Sequence, residues 1–161
     1  MARYDLETLV TVSVLDRLID REPKKATEPP PTRARSMRQL KDGLQRDLEW
    51  LLNTRRSIED LGGVYKEIER SVFTYGLPDI SSIGVHSTHD QAKLKRALER
   101  AVSLFEPRIK GARVVMEVFG RGSRAIRFHI QGMLDVDPAP EPVAFDTVLE
   151  LPSYQYAVKG D

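Results

Sequence analysis

The sequence changes its hydrophobic period once, near Pro107, and that change limits the fold more than any other feature. Upstream, Met37, Leu40, Leu44, Leu48 and Leu51 recur every three or four residues, as do Leu94, Leu98, Ala101, Val102 and Phe105. This spacing lines each set along one side of an α-helix. Downstream the period is two: Val114, Met116 and Val118 alternate with Val115, Glu117 and Phe119, and Ile126, Phe128 and Ile130 with Arg127, His129 and Gln131. Alternation of this kind marks strands. Helices first and hairpins last predict an α+β fold, with N-terminal helices packed on one face of a small C-terminal antiparallel sheet.

The 161 residues include 40% hydrophobic residues and no cysteine, which suits a single globular core without disulfide or thiolate-metal staples. Twenty-five bases against 24 acids leave no overall field to attract nucleic acid or anionic lipid, so no nucleic-acid partner is expected. No stretch suits a membrane span or signal peptide, and the expected location is the cytoplasm. Charge is locally uneven, with seven bases facing two acids between Lys93 and Arg113, and six acids facing one base from Asp135 to Asp161.

Local signals divide the chain into an N-terminal helix with a proline-rich linker, 1–35, and a single α+β domain, 36–161. Ser13-Val14-Leu15-Asp16 has capping-box spacing and opens a short amphipathic helix that uses Leu15, Leu18 and Ile19 for apolar contacts. Lys24, Lys25 and Pro29-Pro30-Pro31 then read as an extended linker, which lets this helix dock away from the main body or on a neighbouring subunit. Ser36 is expected to cap the main helix, over about residues 37–53. At about 100° per residue, Arg46, Trp50 and Asn53 fall opposite its leucine stripe. Trp50 either packs beneath another element or makes a Trp/Arg contact with another subunit.

Tyr65, Ile68 and Val72 mark a shorter helix ending near Tyr75-Gly76-Leu77-Pro78, and Thr88 opens a third that stops before Pro107. Gly120-Arg121-Gly122-Ser123 joins two strands as a hairpin turn. Further strands are expected over 143–151 and 154–158, with Pro138, Pro140 and Pro142 shaping the loop before them.

Catalytic chemistry finds little support. His86, His89 and Asp90 lack a further ligand at zinc-site spacing, and no Gly-x-Ser-x-Gly elbow is present. Glu49 beside Trp50 and Glu106 beside Phe105 could form a glycosidase pair, but Arg108 near Glu106 favours its ionised form. No catalytic residue, metal or cofactor is expected. Glu106-Pro107-Arg108 is more distinctive: proline takes Glu106 out of helical geometry, so the two charges fall on one side of an extended segment as a rigid clamp for a partner. The competing reading is an internal ion network, for instance with Arg55 or Arg56.

Ser13-Val14-Leu15-Asp16-Arg17-Leu18, Arg46-Asp47-Leu48-Glu49-Trp50-Leu51-Leu52-Asn53-Thr54-Arg55-Arg56, Tyr75-Gly76-Leu77-Pro78-Asp79 and Phe105-Glu106-Pro107-Arg108, with Phe128-His129-Ile130 and Phe145-Asp146-Thr147, closely resemble the TssE family of type VI secretion baseplate subunits. That family is similar to a wedge protein of contractile phage baseplates once called lysozyme-like. The resemblance implies a non-enzymatic cytoplasmic subunit, present in each wedge of a sixfold baseplate with TssF, TssG and TssK. It also implies that Glu106, Pro107 and Arg108 fasten the subunit to the wedge, and that the terminal sheet templates the TssB/TssC sheath. Arg46 and Trp50 join them as candidate contact residues. The rival function is a peptidoglycan-cleaving, lysozyme-like glycosidase.

Overall fold

Two long helices lie across one face of a four-stranded sheet in the computed structural model, which describes residues 10–19, 23–24, 32–56, 65–80, 87–118 and 125–160. The helices are α2 (Arg33–Asn53) and α4 (Thr88–Phe105). The strands β1 (Ile109–Val118), β2 (Ala125–Leu134), β3 (Glu141–Glu150) and β4 (Gln155–Gly160) follow in that order, each antiparallel to the next. This is the expected α+β arrangement. Pro29-Pro30-Pro31, His86 and the turn Gly120-Arg121-Gly122-Ser123 lie outside the described residues.

The leucine stripe does what its spacing predicts: Leu40, Leu44, Leu48 and Leu51 are buried against the sheet. Leu94, Leu98, Ala101 and Val102 of α4 join them, and Val114, Phe128, Ile130, Phe145, Leu149, Tyr156 and Val158 face them from the strands. Each leucine-sized side chain so buried contributes about 1.5–3 kcal/mol, so this layer interface is the main source of stability. The opposite sheet face, with Arg127, Asp146 and Lys159, is uncovered by any described element.

The helix starts differ from the sequence reading in small ways. α2 begins a turn early, because Thr32 rather than Ser36 is its cap: Thr32 Oγ1 accepts from Arg35 N–H at 3.3 Å, while Ser36 is buried and donates to Thr32 O at 3.1 Å. Residues 33–35, read as linker, are therefore helical. Ser87 caps α4 in place of Thr88. The helix expected around Tyr65, Ile68 and Val72 is two pieces, α3 (Lys66–Glu69) and a 3-10 turn (Val72–Thr74). Ser71 breaks it, donating to Ile68 O at 2.8 Å and accepting from Phe73 N–H at 3.3 Å. With the helix cut, the expected apolar stripe cannot form, and Val72 is 88% exposed.

Two glycines are tied to packing. Gly76 has φ +103°, and a Cβ there would lie 2.3 Å from Thr54 O. Its freedom lets Leu77 N–H donate to Thr54 O at 2.8 Å and Leu77 O accept from Arg56 N–H at 2.9 Å, stitching this loop to the end of α2. Gly111, at φ +63°, sits in a β-bulge between Lys110 and Arg113 that redirects β1 as it leaves α4.

Candidate functional site

Pro107 follows α4 and forces a turn. Glu106 is the helix C-cap, with φ −122° and ψ 71°, and Ile109 N–H donates back to Glu106 O at 3.1 Å. The segment is thus a tight turn, not the extended clamp expected from sequence. The turn folds both charges onto each other. Arg108 Nε donates to Glu106 Oε1 at 2.5 Å and its Nη2 donates to Oε2, while Glu106 is only 4% exposed. Glu106 therefore faces its own chain and is not offered to a neighbour. The internal network is real, but its partners are Arg108 and Asp47 where Arg55 or Arg56 were considered.

From Arg108 the chain of charges continues. Its Nη2 also donates to Asp47 Oδ2 at 2.6 Å, and Asp47 Oδ1 accepts from Arg46 Nη2 at 2.8 Å. Arg46 Nη1 reaches Asp16 Oδ1 at 2.7 Å, and Asp16 Oδ2 accepts from Ser13 Oγ at 2.5 Å. Acids and bases alternate throughout, so every carboxylate in the row has a guanidinium beside it. The row ties three segments together: the turn after α4, the middle of α2, and α1 (Val14–Leu18).

These contacts shift the titration of Arg108, Arg46 and Asp16. Hydrogen bonding to Glu106 holds the Arg108 guanidinium well above its ordinary pKa, with burial working against it and Asp47 adding to the rise. Asp47 does the same for Arg46. At Asp16, burial pushes the carboxyl up, but Ser13, Arg46 and Arg108 together outweigh it and hold the pKa below the ordinary value. Tyr75 is pushed up by burial and by the charges of Asp47 and Glu106, and its ring meets Phe105 edge-on at 5.2 Å.

Gly43 explains how α1 docks. A Cβ at Gly43 would lie 2.7 Å from Asp16 Oδ2, so this mid-helix glycine is the notch that admits the Asp16 side chain. The docking is polar, contrary to the sequence reading: Leu15, Leu18 and Ile19 remain exposed, and Asp16 makes the contact. Beside this corner Trp50 is 55% exposed, with Arg46 5.2 Å from its ring centroid. It does not pack beneath another element. Trp50, Pro107 and Arg108 line one open depression.

The remaining candidates are dispersed or differently engaged. His89 is exposed, and among the described residues no group of three His, Asp or Glu side chains is placed to hold a metal ion. His129 sits on the open sheet face between Asp146, Nδ1 to Oδ1 2.5 Å, and Glu117, Nε2 to Oε1 3.4 Å. Its pKa is raised, chiefly by the Asp146 hydrogen bond. Glu106, proposed as half of a glycosidase pair, has both oxygens occupied by Arg108.

The protein-family model described as baseplate wedge protein gp25 matches residues 38–139. The chain belongs to that family. No curated protein and no solved structure matches it at the significance required. Membership gives the gp25-family chain a structural baseplate role, and the matched span contains Arg46, Trp50, Glu106, Pro107 and Arg108 with both hairpin strands β1 and β2. Ser13 and Asp16 lie outside it. Among the described residues of this family member, no helix is long and apolar enough to cross a membrane.

Sequence reading missed Asp47 and Asp16 as the links that join α2 to its neighbours. One signal was present: Gly43 interrupts an otherwise strong helix, and an interior glycine often marks a close approach.

Proposed function

We propose that this gp25-family chain is the TssE-type subunit of a type VI secretion baseplate, a non-enzymatic adaptor between wedge and sheath. Its wedge contact is the corner formed by Arg46, Trp50, Pro107 and the outer flank of Arg108, with Glu106 behind them as anchor. Its partners there are TssF, TssG and TssK, with one copy in each wedge of a sixfold cytoplasmic assembly. The sheet provides the template on which TssB and TssC begin to polymerise.

The observation that carries this reading is the Trp50 indole, exposed at a corner whose own ion pairs are already made. A large aromatic held flat by an arginine, at little entropic cost, is the kind of anchor that dominates protein interfaces. The ionic row behind it acts as scaffolding: it fixes the angle between α2 and the turn after α4, and so the shape that a partner meets. A glycosidase would need a protonated carboxyl able to donate to a leaving oxygen. The bidentate hold of Arg108 on Glu106 argues against that role.

Co-expression with the wedge subunits tests the assignment. Trp50→Ala is expected to melt like the parent protein yet reduce recovery of the wedge complex at least tenfold. Full recovery would remove the corner from the interface. Turnover of purified peptidoglycan that is lost in Glu106→Gln would replace the adaptor with an enzyme.

A further inference from the structure

The two margins of the sheet use their backbone groups differently. In an antiparallel ladder, alternate residues of an edge strand turn N–H and C=O away from the partner, leaving a row open to another strand. On β4 that row runs through Tyr156, Val158 and Gly160, and α2 occupies much of it. Asn53 Nδ2 donates to Tyr156 O at 2.9 Å, and Asn53 Oδ1 accepts from Tyr156 N–H at 2.8 Å. Gln45 Nε2 donates to Val158 O at 2.8 Å, and Gln45 Oε1 accepts from Gly160 N–H at 3.2 Å. Two carboxamides on one helix thus stand where a fifth strand would pair.

The β1 margin is different. Val114 N–H points away from β2 and donates to Glu99 Oε1 of α4 at 2.9 Å. Alternation then turns N–H and C=O of Met116 outward as well, since Met116 opposes Phe128 two places along the same register. No described residue hydrogen-bonds to them. Glu99 has a second partner, Lys95 Nζ at 3.9 Å, so its carboxylate keeps a countercharge if it leaves Val114.

We infer that a partner's extended strand adds along β1 and not β4, and that Glu99 holds the Val114 N–H until a carbonyl of that strand replaces it. The inference rests on the sheath-template role proposed above. Replacement is an exchange of one acceptor for another, so the edge N–H is never left unpaired. On the open sheet face β1 presents Arg113, Val115 and Glu117, all exposed. The incoming strand should therefore carry an acidic, an apolar and a basic side chain opposite them, at alternate positions.

Amide hydrogen exchange on the full chain, alone and mixed with the cognate TssB/TssC sheath proteins, tests this. Exchange at Met116 N–H is expected to slow at least tenfold on sheath binding, with Val158 N–H on β4 unchanged. Slowing at Val158 without Met116 would overturn the edge assignment and leave the template reading intact. Failure of the sheath proteins to bind, or binding without slowing at either margin, would overturn both. Met116→Pro removes an outward N–H and no β1–β2 bond, and should weaken sheath binding at least tenfold. Because Met116 also packs against the core, the exchange result on the unmodified chain decides if that variant misfolds. Glu99→Ala frees the guarded N–H and should speed strand capture severalfold; an unchanged or slower rate in a folded variant contradicts the guard.

Discussion

Two charge clusters in this molecule are built from similar residues and do different work. At the helical corner, Glu106, Arg108, Asp47, Arg46 and Asp16 form a row in which Glu106 and Asp16 are almost completely sealed from solvent. On the sheet face, Glu117, His129 and Asp146 bridge three strands, but Asp146 has a side chain 69% exposed. Burial decides the outcome. A sealed carboxylate that loses its guanidinium has no water to replace it, whereas an exposed one is rehydrated at once. The corner can therefore fix geometry between elements, and the sheet cluster can only trim it.

The largest effect expected from this contrast comes from Arg108→Ala, which strands Glu106 and leaves Asp47 with Arg46 alone. It should cost about 3 kcal/mol in denaturant unfolding, and Arg108→Lys should recover only part, because an ammonium cannot span both Glu106 oxygens. A loss under about 0.5 kcal/mol would erase the distinction between the clusters. Gly43→Ala comes next. Alanine gains up to about 1 kcal/mol in helix propensity, yet its methyl group meets Asp16, so a net loss of about 1–2 kcal/mol is expected, with faster proteolysis of the segment around α1. A stabilised variant would mean that α1 does not dock in the notch.

Asn53→Ala leaves Tyr156 N–H and C=O without their helix partners. It should cost about 1 kcal/mol and speed exchange at Tyr156 N–H, which is the reading that separates a capped margin from a merely adjacent one. The smallest effect belongs to His129. Its pKa is raised in the folded state, so its contribution is complete below the unfolded value of 6.5 and is lost as pH rises through the higher folded value. The stability difference between the parent and His129→Gln should shrink over that rise, from a starting size below about 1 kcal/mol, as suits an exposed ion pair. The same comparison at Asp16 runs the other way: its lowered pKa gives stability that is present above the unfolded value of 3.8 and fades as pH falls through the folded one.

The fold was legible where period and burial agree. Leu40, Leu44, Leu48 and Leu51 announced α2, and the alternation around Phe128 announced the sheet, because both patterns report a single apolar face. The reading failed at α1 and at Val72, where short segments carry apolar residues but too few turns to bury them. At the candidate site, the placement of Trp50 and Arg46 opposite the leucine stripe was legible from helix geometry alone. The closed state of Glu106 and Arg108 was not, since residues two apart can be splayed by an extended segment or brought together by a turn, and only the hydrogen bond from Ile109 to Glu106 distinguishes them. The capping of β4 by Gln45 and Asn53 could not be read at all. It depends on how far α2 reaches across the sheet, which is a tertiary quantity.

The proposed role is that of one chain joining wedge to sheath. Its most direct measurement is sheath assembly from TssB/TssC on purified wedge particles, counted by electron microscopy with and without this subunit. Wedges that carry it should nucleate sheath and wedges that lack it should remain bare. Sheath growing equally from both would contradict the adaptor role.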